Sequence, residues 1–415
     1  MAIMQEIASR LAGLLALKET SEARTSLFLS LDDVLETESV DEPGVVKTRI
    51  EYHYSKLLIP RYFRREHISR VTHVGVDSSS RTLATPHAVI IIGSLAVSLG
   101  TVMESFTWPP LHGGSLEKGP PFMALMSYTS HEGPTLPSFV TSHALTGSRY
   151  TPGYGISQVS RELRIVMENW ALENVEAIVG ELTRRRSRDS LLTVMLDGPL
   201  FLAPEAGGLQ AEQGRSWREL MKARIRAIEA VESSGIPVIG VVKRVESSTI
   251  LSRTREFVER ASRCIGHAES LADMALIHLL LKSNCDSNRR GNIMFTPKIS
   301  VEYGQDWIPR KIVEYAVILP STWHLYTTKA RVLRVEVTQR SLEILRDHGL
   351  DPESVLAGDT VARGSVEPAT ILLSDKVAGA VSGAIKKSLI ASLVREETPL
   401  TYDEARGVEK LWRAG

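Results

Sequence analysis

Apolar and polar positions along this chain fall into strand-like runs separated by one long helical stretch. Thr72–Asp77 (THVGVD) predicts a strand that ends in Ser78-Ser79-Ser80. Ala88–Ser98 (AVIIIGSLAVS) and Thr101–Trp108 predict two further strands beside it. From Ser160 to Arg184 the rhythm changes: Leu172, Val175, Val179 and Leu182 recur at helical spacing behind a serine cap. Leu191–Leu196 (LLTVML) is continuously apolar and suits a buried central strand ending at Asp197-Gly198-Pro199. A basic amphipathic helix over Arg215–Ser234 leads to a second buried strand, Ile236–Val242, which ends at Lys243. Strand, helix, strand in that order is a right-handed βαβ unit with parallel strands.

The remainder is less regular. The first residues (MAIMQEIASRLAGLLALKET) predict an amphipathic helix, and a second helix is expected near Thr48–Leu58 after an acidic connector. Thr107–Tyr154 is rich in Pro and Gly and reads as a long loop or insertion. Leu251–Pro320 mixes a helix near Ser270–Leu281 with irregular polar sequence. Ala330–Val337 alternates as a strand, and a helix from about Asp375 to Arg395 closes the pattern. Three strands, helix, strand, helix, strand, insertion, helix is the element order of a ribonuclease H-like α/β fold: a mixed β-sheet core flanked by helices, with helical and loop insertions. The corresponding organisation is a helical extension over 1–70 and one domain over 71–415. Its core covers about 71–108, 158–250 and 330–395, with insertions at about 109–157 and 251–329.

Composition narrows the class. With 415 residues, 43% hydrophobic and 24% charged, the chain is long enough for a sizeable core in two or three domains or one elaborated one. Lys+Arg and Asp+Glu are both 49, which excludes a uniformly basic nucleic-acid binder but not a channel with segregated charge. Two cysteines, Cys264 and Cys285, cannot build a disulfide framework and fit a reducing cytosol. The longest apolar run, Ala88–Leu99, is too short to span a bilayer. The expectation is a cytoplasmic protein with no membrane partner.

The candidate chemistry sits at the ends of these elements. Asp77 and Asp197 each close a strand, and side chains just beyond strand carboxyl ends converge on one crevice. Glu168 lies in the helical half nearest that crevice and continues the apolar stripe toward it, where a carboxylate is expensive unless paired or metal-bound. Glu173 is the alternative on the same helix. Several carboxylates at one crevice repel and need a cation, and hard oxygen ligands suit Mn²⁺ or Mg²⁺. Two ions about 4 Å apart would activate water and stabilise the leaving oxygen of a phosphodiester. Lys243 could neutralise charge developing in the transition state. The competing plain reading makes a strand-end aspartate a turn former and Lys243 a solvated side chain.

At these residues the chain resembles the NurA nuclease family. The resemblance is carried by VGVDSSS around Asp77, the helix with Glu168, LDGPL around Asp197, GVVKR around Lys243, and a VRVEV-like strand followed by a Pro and a helix. It implies a ribonuclease H/Piwi-like, Mn²⁺-dependent deoxyribonuclease that degrades DNA 5′ to 3′ and cuts single strands. It further implies a homodimeric ring working with the hexameric ATPase HerA in end resection and recombinational repair. Carried over, Asp77, Glu168 and Asp197 are metal ligands. The family's Tyr-Pro pair and later His fall on Glu367-Pro368 and Asp375. Asp375 could ligate a metal from the last helix, or the departure could mark an inactive homologue.

Other signals have plainer readings. Cys264, His267, His278 and Cys285 lack a zinc-ligand spacing. Arg184–Arg188 and the helix carrying Arg215, Arg218, Lys222, Arg224 and Arg226 read as solvated, with DNA backbone contact as the alternative. Trp108, Trp307 and Trp323 read as packing. Two other functions compete: a non-catalytic nuclease-fold partner of a helicase, and an actin-like ATPase or sugar kinase, which also opens with a Gly-x-Asp strand and serines. The latter lacks good phosphate and adenine glycine loops here, and no Walker loop or nucleophile elbow occurs.

Overall fold

A computed structural model describes residues 45–51, 56–61, 70–86, 88–101, 103–110, 116, 119–127, 136–151, 154–183, 190–201, 212–283, 293–319, 330–396, 400–401 and 404. The first amphipathic segment, the Arg184–Arg188 turn and Trp323 lie outside them.

The sheet is built on β3 (Val71–Ala84), which forms a long antiparallel pair with β4 (Ala88–Leu99). One edge of β4 takes β5 (Glu104–Trp108) and then β6 (Met123–Ser127). On the other side β3 pairs in parallel with β8 (Leu191–Asp197), and β8 in parallel with β9 (Val238–Val242). The order β5-β4-β3-β8-β9, three antiparallel strands and then two parallel ones, is the ribonuclease H-like arrangement expected from the sequence.

The sheet then continues antiparallel through β13 (Arg331–Thr338), β12 (Lys311–Ile318), β11 (Ile299–Tyr303) and β1 (Val45–Ile50). Short strands β2 (Ile59–Pro60), β7 (Val140–Thr141) and β10 (Ile293–Phe295) complete it.

Two helices sandwich the centre, and consecutive residues of β4 show it. Gly93 faces Leu163 and Met167 of α1 (Ile156–Glu173), while the Ser94 hydroxyl donates to the Ala378 carbonyl of α9 (Ala369–Arg395). Neighbouring strand residues point to opposite faces, so α1 and α9 lie on opposite sides. That is why all twelve residues of β4 are buried and read as one apolar run. By length and composition α9 is apolar enough to cross a membrane; here its Ile371, Ala378, Ile385 and Leu389 are buried against the sheet. Gly75 is the point of closest approach, because a Cβ there would stand 2.4 Å from the Thr370 carbonyl carbon.

Several local expectations change. Residues 45–50 form a strand rather than the start of a helix near Thr48–Leu58. Lys47 and Arg49 are exposed while Thr48 and Ile50 are half-buried, a period of two. The 160–184 helix is two helices, α1 and α2 (Val175–Leu182), broken at Asn174, whose backbone leaves helical geometry (φ −114°, ψ 11°) while its side-chain amide joins its own N–H on the Trp170 carbonyl at 2.8 Å. The Pro-rich 107–154 stretch supplies β6 and β7. The 251–320 stretch supplies β10 to β12, besides α4 (Ile250–Arg253), α5 (Arg255–Ile265) and α6 (Asp273–Lys282). Strand β12 looked polar because it carries Lys311 and Glu314, both buried in ion pairs. The last helix starts at Ala369, directly after Pro368, which cannot continue a helix from its N-terminal side. Cys264 is disulfide-bonded.

Candidate active site

Asp77 lies within β3, at the point where its parallel neighbour stops. The β3–β8 ladder runs from Val71 opposite Leu191 to Val76 opposite Leu196, and Asp197 ends β8. Strand β3 itself continues beside β4, which leaves the serine side of the strand over an open cavity. That cavity is about 460 Å³ and is walled by Asp77, Asp197, Lys243 and Asp375, together with Ser78–Thr82, Arg164 and Arg244.

Each element delivers its residue for a structural reason. Gly198, at φ +132°, turns the chain sharply after Asp197, and its N–H donates to the Val241 carbonyl at 2.9 Å. The following turn crosses Gly240, where a Cβ would stand 2.9 Å from both the Gly198 oxygen and the Leu200 nitrogen. The Leu200 N–H then donates to Glu336 at 2.9 Å, and Glu336 is held by Lys311 at 2.9 Å and Arg334 at 2.8 Å, all fully buried. An ionic cluster behind the sheet thus fixes the turn that presents Asp197. Lys243, one residue past β9, reaches back to Asp197 at 2.6 Å. Asp375 sits in the second turn of α9.

The electrostatics of the cavity are those of buried, mutually repelling carboxylates with Lys243 and Arg164 beside them. Burial holds the Asp77 carboxyl well above the usual range, and the charges of Asp197 and Glu168 push it further, against Arg164 and Lys243. Burial likewise lifts Asp197 to about 6 despite Lys243, with Asp375 adding repulsion. Burial works against the Lys243 ammonium, but Asp197, Asp77 and Asp375 outweigh it and raise its pKa. An all-oxygen donor set of Asp77, Asp197 and Asp375 with such mutual repulsion fits a hard divalent cation. Among the described residues no three such side chains already close on a single point; Asp197 is drawn to Lys243 instead.

Glu168 is brought to the site but not to the cavity wall. It accepts from the Ser78 hydroxyl at 2.5 Å and pairs with Arg224 of α3 (Glu212–Ser233) at 2.6 Å. Arg224 also donates to Asn169. The alternative, Glu173, is exposed at the end of α1. Glu367 pairs with Arg331 at 2.6 Å and does not line the cavity.

Reading α3 as a solvated or DNA-facing basic helix is wrong for Arg224, which is 1% exposed. The signal was available: Arg224 interrupts the buried stripe Trp217, Leu220, Met221, Ile228, Val231, so it had to meet a buried anion. Glu162 is also buried and accepts from Tyr150 and Tyr154. Trp108 packs against Phe122 and Trp170, and Trp307 against Trp217.

Fold and cavity together define a ribonuclease H-like α/β protein with a carboxylate-lined cleft at the carboxyl ends of its parallel strands. The NurA domain model matches residues 71–347, more than half of the chain, and the chain belongs to that family. Three solved structures are similar to it. The NurA nuclease from Sulfolobus solfataricus is 12% identical, with 79% of this chain and 85% of that one covered and a TM-score of 0.40. NurA with manganese is 8% identical, with 95% and 98% covered and a TM-score of 0.38. NurA bound to dAMP and manganese is 8% identical, with 76% and 84% covered and a TM-score of 0.36. Comparison with curated protein sequences finds no match.

Proposed function

We propose that this chain is a metal-dependent deoxyribonuclease whose centre is the cavity at Asp77, Asp197 and Asp375. The observation that carries the reading is the convergence of these three carboxylates and Lys243 on one cavity, with Asp77 and Asp197 held above their ordinary pKa by burial and by each other's charge. Family membership and the manganese in related NurA structures support it. Asp77, Asp197 and Asp375 would hold the ions, Mn²⁺ or Mg²⁺ and two in number by the ribonuclease H-like precedent. The ions would supply Lewis-acid activation of water and of the leaving oxygen. Lys243, released from Asp197 as cations enter, would be placed to pair with a substrate phosphate. Glu168 holds Ser78 beside Asp77 and, with Arg224 as counter-ion, is a positioning residue in the present arrangement.

Asp375 keeps an oxygen ligand where the family has His, and its place on the cavity wall favours an active enzyme over a catalytically dead assembly partner. The 5′–3′ polarity, single-strand cutting, homodimer, HerA-type ATPase partner and cytoplasmic location are proposed from the family resemblance. The test is cleavage of end-labelled single- and double-stranded DNA with Mn²⁺, Mg²⁺ or EDTA, comparing wild type with Asp197→Asn. Metal-dependent cutting that is lost in a folded variant is expected. No cutting by folded wild type, with or without a HerA-type ATPase, would overturn the reading in favour of the non-catalytic partner.

A further inference from the structure

The proposed chemistry uses only one end of the cavity. Beyond Asp77 the far wall is β3 running alone: β8 ends opposite Val76, while β3 stays paired with β4 as far as Ala84 opposite Val89. Backbone groups of an antiparallel strand alternate between its two sides. The His73 carbonyl accepts from Gly100 on the β4 side, and the Arg70 carbonyl accepts from Leu191 on the β8 side. The backbone groups of Ser78, Ser80 and Thr82 therefore face the side that β8 has vacated, which is the cavity. The Ser78 N–H there donates to Asp77 at 2.7 Å.

The carboxylates along this edge stand at one end only. Asp77, Asp197 and Asp375 gather there, with the cations Lys243 and Arg164 close to them. Arg81 and Lys386 line the same cavity further along. Arg81 is four residues past Asp77, about 13 Å along an extended strand. Lys386 is eleven residues past Asp375, three helical turns and about 16 Å along the same face of α9. Strand and helix thus each run from a carboxylate at one end to a cation at the other. On the opposite face of β3, Ser160 of α1 donates to Ser80 at 2.8 Å, and Arg164 of the same helix donates to Ser78 at 3.3 Å. Lys386 is paired with the Glu404 carboxylate at 2.8 Å, an anion already seated where this end of the cavity attracts one.

We propose that the β3 edge at Ser80–Thr82, with Arg81 and Lys386, is a second phosphate-binding subsite. It grips the sugar–phosphate chain of a polynucleotide strand at a phosphate remote from the bond cut at the carboxylates. The polynucleotide rests on the proposed nuclease reading; the subsite rests on the geometry of the edge. Outward amide N–H groups and a guanidinium fork suit phosphate oxygens, and such contacts position a strand without reading its sequence. An incoming phosphate exchanges with Glu404 on Lys386.

The test is fluorescence anisotropy of a labelled single-stranded DNA oligonucleotide binding the full chain in EDTA, where binding is read apart from cutting. Wild type, Arg81→Ala, Arg81→Lys and Lys386→Ala are compared over a salt series. Each alanine variant is expected to weaken binding about tenfold and to lower the salt slope by about one. Arg81→Lys keeps the slope and recovers part of the affinity, a pattern that misfolding does not give. Wild-type affinity and slope in both alanine variants would overturn the subsite. If wild type fails to cut DNA with any metal but the alanine variants lose binding as stated, the nuclease reading falls and the subsite stands.

Discussion

Replacing Arg224 with Met tests how the site is braced. The Arg224–Glu168 pair spans 2.6 Å, with the side chains 2% and 11% exposed. At an effective dielectric near 20 the attraction at about 3 Å is roughly 5 kcal/mol before desolvation is counted. Removing one partner of a buried pair strands the other charge and costs about 3–5 kcal/mol. Methionine fills most of the arginine stem's volume, so packing loss adds little. Arg224→Met is therefore expected to destabilise the protein by about 3–5 kcal/mol in urea unfolding. Adding Glu168→Gln, which removes the stranded charge, is expected to recover more than half of that. Ser78, which donates to Glu168 and follows Asp77, carries the disturbance into the cavity, so metal affinity falls in the single variant as well. A loss below about 1 kcal/mol, the range of an exposed pair, would refute the bracing role. So would a double variant no more stable than the single one.

Other consequences are as direct. Gly75→Ala places a Cβ 2.4 Å from the Thr370 backbone; it is expected to cost about 1–3 kcal/mol and, by displacing α9 with Asp375, to weaken Mn²⁺ binding in a titration. Asp197 titrates at about 6 rather than 3.8, so its contribution to stability is complete below its unfolded value and is lost as pH rises through about 6. Metal binding needs the ionised form, so Mn²⁺ affinity is expected to fall up to about tenfold per pH unit below 6, and a flat thermal-shift response to Mn²⁺ between pH 5 and 7 would contradict it. Glu314, raised from 4.5 to about 8 by burial, with repulsion from Glu353 against Lys298, loses its stabilising contribution over that window. Glu314→Gln is expected to flatten the stability profile between those values in urea unfolding.

How much of this was legible in the sequence depended on local pattern. Strands β3, β4, β8 and β9 were readable because their apolar runs are long and end in aspartate, glycine or lysine, and β13 because its positions alternate. Asp77, Asp197 and Lys243 were readable for the same reason, since a polar residue closing a buried strand has few places to go. Strands β1, β6, β11 and β12 were not, because their partners are remote in sequence and β12 carries buried charges that imitate a surface. The place of Asp375 on the cavity wall depended on α9 starting at Ala369 and crossing β3 at Gly75, a close approach no periodicity announces. Arg224 and Glu336 were missed because ion pairs to Glu168 and Lys311, tens of residues away, leave no local spacing. Arg224, breaking an apolar stripe, was the exception that could have been read.

The most direct measurement is anomalous diffraction from crystals of the wild-type protein soaked in Mn²⁺. The account predicts manganese bound among Asp77, Asp197 and Asp375, with Lys243 displaced from Asp197, and the signal lost in Asp77→Asn crystals. An empty cavity, or manganese held elsewhere on the chain while DNA is still cut, would contradict it.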